Sequence, residues 1–171
     1  MAQDKSLVSR PDQPLSGTAI TEMTQREQWN RRNPPTEATI VKDLRTTELV
    51  AREYRGTKAR FYRLSGAIRL QPHLSELPPG HASVKHRHTT EAVLYIVKGT
   101  GHTVMHYDGE PEQRVDWEEG DLIGIPLWAW HQHFNDSDTD TARYLAVQDT
   151  FKVKQLCLHQ IERHPDTPYV V

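Results

Sequence analysis

A single cysteine, Cys157, stands in the 171 residues. One thiol closes no intrachain disulfide, so the sequence predicts a reducing, cytoplasmic setting and a fold held without crosslinks. Long hydrophobic runs are missing too. The longest uninterrupted apolar stretch covers residues 92–97, far short of the roughly 20 residues of a membrane-spanning helix. The opening MAQDKSLVSRPD lacks the apolar stretch of a secretion signal. Charge of one sign is also absent. The 21 Lys and Arg nearly balance the 23 Asp and Glu, for a formal net charge of −2. That leaves no basic excess to neutralise phosphates and no polybasic patch for anionic lipid, so neither nucleic acid nor a membrane is an expected partner. The length suits one ordinary domain and is short for two.

The chain is organised in three parts. Residues 1–20 are polar, carry Pro11, Pro14 and Gly17, lack a clear period, and read as a flexible arm. Residues 21–58 read as a partly helical extension. Thr24-Gln25-Arg26-Glu27 has capping-box spacing and opens a helix predicted to run through Arg32, where Asn33-Pro34-Pro35 stops it. A second, weaker helical pattern covers about residues 43–53. From Ala59 the texture changes to short β-type runs at residues 59–64, 66–71, 82–88, 91–98, 102–107, 113–117, 121–125, 131–135, 142–148 and 151–158. Turn signals such as Pro78-Pro79-Gly80, Lys98-Gly99, Asp108-Gly109 and Glu119-Gly120-Asp121 divide them. Many short strands without helices between them predict an all-β sandwich or barrel over residues 59–171, ending in a C-terminal tail.

What the chain has in quantity is histidine, ten in all. His86 and His88 lie two apart in a predicted strand, so their side chains leave the same face and can converge on one metal. Roughly half such a pair is expected by chance in this composition, so the pair alone says little. A second pair, His131 and His133, stands in equally ordered surroundings. The first segment reads Gly80, five residues, His86-Arg87-His88, then a strand ending at Gly99. The second reads Gly120, five residues, Pro126, then Trp128, His131 and Asn135.

These segments resemble the two motifs of the cupin superfamily, Gly-x5-His-x-His-x3,4-Glu-x6-Gly and Gly-x5-Pro-x-Gly-x2-His-x3-Asn. The resemblance spans about residues 59–157. It implies a small antiparallel β-barrel, a double-stranded β-helix, with a divalent metal in its mouth. Two departures narrow it. The motif-one glutamate position, counted back from Gly99, holds Ala92, and Glu91 falls one residue earlier, on the opposite strand face unless a bulge intervenes. The motif-two glycine is Trp128, within Trp128-Ala129-Trp130-His131-Gln132-His133. Both departures resemble the gentisate 1,2-dioxygenase branch, which holds Fe(II) with three histidines and no carboxylate.

Carried over residue by residue, that resemblance makes His86, His88 and His131 the metal ligands. It makes His133 a histidine that contacts substrate or dioxygen and takes part in proton movement. Where the branch usually has an arginine for the substrate carboxylate, this chain has Leu94, with Arg69 or Arg63 as neighbouring substitutes. Trp128 and Trp130 are candidate pocket walls. His102 is a further pocket candidate, with His106 on the same strand face, and Gln148 and Asp149 stand near the end of a later strand. Three neutral imidazoles leave the charge of a divalent ion uncompensated, which favours an anionic, chelating substrate and leaves positions for dioxygen. The implied activity is an Fe(II) dioxygenase cleaving a C–C bond of a hydroxylated aromatic or related chelating compound, in a homodimer. Two alternatives remain open at this point. One is another small cupin enzyme, either a β-diketone-cleaving dioxygenase or an Mn, Ni or Zn lyase or isomerase. The other is a non-catalytic small-molecule-binding cupin.

Overall fold

The computed structural model describes residues 17–167. In chain order these form α1 (Gly17–Arg32), β1 (Thr36–Ala38), β2 (Val50–Arg52), a 3-10 turn (Glu53–Arg55), β3 (Thr57–Leu64), β4 (Gln71–Leu77), β5 (His86–His88), β6 (Ala92–Lys98), β7 (Thr100–His106), β8 (Gln113–Glu118), β9 (Leu122–Ile125), β10 (Trp130–Asn135), β11 (Ala142–Gln148), α2 (Thr150–Gln155) and β12 (Ile161–Arg163). The strands make two sheets. One runs β1-β3-β4-β11-β6-β9 with β2 also on β3, and the other runs β12-β5-β10-β7-β8. Every pairing is antiparallel except β1 on β3. The sheets face one another as a cupin-type double-stranded β-helix.

Alternation explains which faces meet. Along β11 the residues are buried at every second position from Ala142 to Gln148, and β6 buries Ala92, Leu94 and Ile96 while exposing Val93 and Tyr95. Leu94, Ile96, Met105, Trp117, Ile123 and Tyr144 belong to one apolar cluster between the sheets. At roughly 25 cal/mol per Å² of apolar surface buried, a cluster of this size is the main source of the fold's stability.

Several predicted elements shift. The helix begins at Gly17 rather than Thr24, taking in the last residues of the predicted arm; residues 1–16, the rest of that arm, lie outside the described residues. Its buried positions are Ala19, Glu22, Arg26 and Trp29, one helical face on which two of four residues are charged. That composition hides the face from any search for apolar periodicity. No helix forms over residues 43–53: turns there lead into β2 and the 3-10 turn. Residues 66–70 form a turn and bend instead of a strand, and the strand starts at Gln71. It contains Pro72, which is tolerated because pairing with β3 ends at His73 and Pro72 pairs on one side only, with Val147 of β11. Residues 151–158, read as a strand, contribute to α2, whose buried Thr150 and Val153 stand at helical spacing. Among the described residues no helix is long and apolar enough to cross a membrane.

Candidate metal centre

The short strand β5 carries His86 and His88, both facing inward because they alternate with Arg87. On the neighbouring strand β10, His131 stands directly opposite His86. The register thus brings three imidazoles together: the His131 ring lies 4.3 Å from that of His86 and 4.8 Å from that of His88, centroid to centroid. One ligand nitrogen of each falls within 4.8 Å of the others.

The backbone sets the tautomer of each ring. Nδ1 of His86 donates to Val84 O at 2.8 Å, Nδ1 of His88 to Thr90 O at 2.9 Å, and Nδ1 of His131 to Ala129 O at 2.9 Å. A carbonyl oxygen only accepts, so the proton sits on Nδ1 and each Nε2 keeps a lone pair for the cavity. Burial, and then the neighbouring Arg55 and histidine charges, push His86 well below the usual imidazole range. Burial likewise takes His131 down to about 4. All three are neutral at physiological pH, the state a metal ligand requires. The donor set therefore fits a divalent cation of the imidazole-preferring kind.

Glu91 is exposed and outside this donor set; its backbone N–H donates to Asp149 Oδ1 at 3.0 Å. Ala92 is the residue that faces in, and it lines the cavity with Leu94 and Ile125. His133 and Gln148 also line it, Gln148 Nε2 donating to His88 Nε2 at 3.3 Å.

Five sequence candidates lie elsewhere. Arg87, on the outward side of β5, is stacked over the rings of Trp128 and Trp130, 4.6 and 4.2 Å to the centroids. Trp130 Nε1 donates to Asp108 at 2.7 Å. The tryptophans cover that outer face, because Trp130 and Arg87 each neighbour an inward histidine and therefore point away from the cavity. Trp128 has φ 61°, the left-handed conformation for which the motif's glycine is suited; the ring's contact with Arg87 offsets part of a cost of about 1–3 kcal/mol. His102 lies on the outward face of β7, paired with Asp136 at 2.8 Å and stacked on Phe134. Arg69 is exposed in the bend before β4, and Arg63 is exposed with its guanidinium over Phe151.

The cations at the cavity come from the N-terminal extension. Arg26 of α1, Arg52 of β2 and Arg55 of the 3-10 turn line it with His73 and Tyr144. Arg55 donates to His86 Nε2 at 3.3 Å and holds Glu22 Oε1 through Nε at 2.8 Å. Burial pushes the Glu22 carboxyl up, but Arg55, then Arg163 and Arg52, outweigh it and hold Glu22 below its usual range. One buried carboxylate thus faces several buried guanidiniums, and the Nε groups of Arg26 and Arg52 have no acceptor. No spacing rule links residues 26–55 to the motif histidines, so the sequence offered no signal for them. The cavity volume is about 30 Å³, room for about two waters. A larger hollow of about 540 Å³ lies on the outer surface between residues 63–68 and 151–155, away from every motif histidine.

The cupin domain family matches residues 73–148. A gentisate 1,2-dioxygenase of Aquipseudomonas alcaligenes is 42% identical over 60 residues, 35% of this chain and 16% of that one. An acireductone dioxygenase of Acidiphilium cryptum is 36% identical over 66 residues, 39% of this chain and 36% of that one. Among solved structures, a salicylate 1,2-dioxygenase mutant of Pseudoaminobacter salicylatoxidans in complex with gentisate superposes with a TM-score of 0.56 at 17% identity. That match covers 86% of this chain and 36% of the other. The alignments thus span little more than a third of these relatives at most. This is a cupin-fold protein with a three-histidine cluster able to hold a divalent metal. Over the aligned stretch its sequence is similar to that of a gentisate 1,2-dioxygenase, and its fold is similar to that of a salicylate 1,2-dioxygenase.

Proposed function

We propose that this protein is a non-haem Fe(II) dioxygenase that uses O2 to cleave a C–C bond of a hydroxylated aromatic acid. The observation that carries the reading is the convergence of His86, His88 and His131 without a carboxylate, Ala92 standing where one would complete the set. Bound Fe(II) supplies a Lewis-acidic, redox-active centre with positions for a chelating substrate and for dioxygen.

The chain's own residues bind and orient. Neutral imidazoles add no negative charge, so an anionic substrate completes the balance. Arg26, Arg52 and Arg55 offer buried N–H donors to its carboxylate, the part Leu94 does not play, and the unpaired Nε groups of Arg26 and Arg52 gain acceptors when it binds. Leu94, Ala92 and Ile125 give the ring an apolar wall that excludes water. A ring enters a cavity of about 30 Å³ only as the arginine side chains swing aside. The extension of residues 21–58 is on this reading part of the active site. We assign the protein to the cytoplasm as a homodimer acting on a small molecule and O2, without nucleic acid. The outward-facing Val93, Tyr95 and Leu122 on paired strands β6 and β9 support an association surface.

The cavity size favours a second reading, a compact enolisable diketone as substrate. The similarity to an acireductone dioxygenase points the same way. One experiment separates the two. Protein loaded anaerobically with Fe(II) is given gentisate, salicylate and β-diketone compounds while oxygen uptake and products are followed. Ring-cleaved product from a hydroxybenzoate is expected. Uptake with diketones alone selects the second reading, and none with any compound despite bound iron overturns both. Parallel loading with Mn, Ni or Zn tests whether the activity belongs to iron.

A further inference from the structure

His133 stands two residues beyond His131 on the same strand face, lines the same cavity and is 4% exposed. Its hydrogen bonding differs from that of the three clustered histidines. Each of their Nδ1 atoms meets a backbone carbonyl, which fixes its proton there even at His88, where Thr90 Oγ1 also lies 3.0 Å away; Nδ1 of His133 meets instead a hydroxyl, Thr103 Oγ1, at 2.9 Å. That hydroxyl is also bonded by Trp117 Nε1 at 3.0 Å. Thr103 is fully buried and Trp117 is 5% exposed, so no solvent competes for these groups.

Proton accounting resolves the direction of this chain. An indole N–H only donates, so Trp117 occupies a lone pair of Thr103 Oγ1. The threonine proton then needs an acceptor, and His133 Nδ1 is the one the surroundings supply. The opposite arrangement, Nδ1–H donating to Thr103, leaves the hydroxyl proton buried and unbonded, which is the more costly state.

We infer that Trp117 and Thr103 are positioning residues that hold His133 in the Nε2–H tautomer, so that it presents a hydrogen-bond donor to an oxygen of the bound substrate. The three clustered rings offer lone pairs to a cation, while the fourth offers an N–H to an anion. The same strand face thus carries two opposite tautomers, chosen by what lies behind each ring. Neutral His133 in this form has no lone pair facing the cavity. It orients and stabilises a negatively charged oxygen, and it does not take the proton of a substrate hydroxyl. This rests on the dioxygenase reading only for what the donor meets; the tautomer itself does not depend on it.

Long-range 1H–15N correlation spectra of histidine-labelled protein, metal-free and loaded with diamagnetic Zn(II), test the inference. The His133 signal is assigned by its loss in His133→Asn. We expect a protonated Nε2 and bare Nδ1 on His133, and the reverse on His86, His88 and His131. A protonated Nδ1 on wild-type His133 overturns the inference whether or not the protein consumes oxygen. Thr103→Val is expected to lower the tautomer ratio about two- to tenfold, the worth of one hydrogen bond. Thr103→Ser keeps the hydroxyl and restores the ratio. If Thr103→Val fails to fold, Trp117→Phe is read instead, since it frees the threonine to accept as well as donate. An unchanged ratio in the variant read overturns the relay. With an active substrate, Thr103→Val lowers kcat more than it raises KM, and Thr103→Ser recovers kcat. No oxygen uptake with the expected tautomer intact counts against the dioxygenase reading alone.

Discussion

His131 is the residue on which the metal centre turns. It faces both β5 histidines across one strand pairing, so its loss leaves two donors on one strand. His131→Ala is expected to abolish stoichiometric binding of a divalent metal, read by metal analysis after dialysis. Glu91→Ala is expected to retain it, because that side chain lies outside the cluster. Equal losses in the two variants would restore the carboxylate to the ligand set. Asn135, the last motif residue, has a different use. Its Nδ2 lies within hydrogen-bond reach of Leu77 O at 3.2 Å, Pro78 O at 2.9 Å and Asp140 O at 2.7 Å, and its Oδ1 accepts from Ser137 N. It fastens two loops to the end of β10. Asn135→Ala should lower unfolding stability by about 2–3 kcal/mol in urea titration, the cost of stranding buried polar groups, with metal binding retained.

At the scale of elements, the N-terminal extension is held to the barrel by Trp29 packing on Phe61 and by buried charge. Glu22 of α1 is fully buried, pairs with Arg55, and accepts from Arg163 Nε of β12 at 3.3 Å. Removing the carboxylate takes away the acceptor that the buried Arg55 guanidinium pairs with. Glu22→Ala is expected to cost about 3–5 kcal/mol, with amide protection lost first across residues 17–32 in hydrogen exchange. Uniform loss of protection instead would mean that α1 and the barrel unfold as one unit. The start of β7 shows a tighter constraint. A Cβ on Gly101 would overlap the Phe134 carbonyl oxygen and stand 2.5 Å from the Trp117 ring. Gly101→Ala should therefore displace β10 or Trp117 and lower the thermal midpoint by several degrees, with a change in tryptophan emission.

For the whole molecule, the buried histidines govern the response to acid. Burial, and for several of them neighbouring cations, depress His73, His86, His88 and His133 well below their ordinary value; His131 sits at about 4 and His159 at about 3. The unfolded chain takes up protons near pH 6.5 that the folded chain refuses. Stability from this source is therefore complete above about pH 6.5 and is lost as pH falls toward 4. Each histidine contributes a slope of about 1.4 kcal/mol per pH unit. Urea midpoints measured from pH 8 to 4.5 should fall steeply below 6.5. A flat profile would show that these rings are protonated in the folded state.

The sequence by itself determined the strand-rich barrel and the histidine cluster, because both rest on local rules. Alternation puts His86 and His88 on one face, and motif spacing carries His131 and Asn135. The same alternation placed Arg87 and Trp130 on the outer face, which the candidate-wall reading of the tryptophans passed over. Only the tertiary structure decided what surrounds the cluster. Arg26, Arg52 and Arg55 reach the cavity by folding of a segment whose link to the histidines is not local, and α1 hides its docking face by burying Glu22 and Arg26 beside Ala19 and Trp29. Charge pairs of this kind depend on three-dimensional neighbours that no period encodes. The Trp117–Thr103–His133 contact is of the same sort. Two of its members sit on paired strands and the third on the next, and their hydrogen bonds exist only once register is fixed.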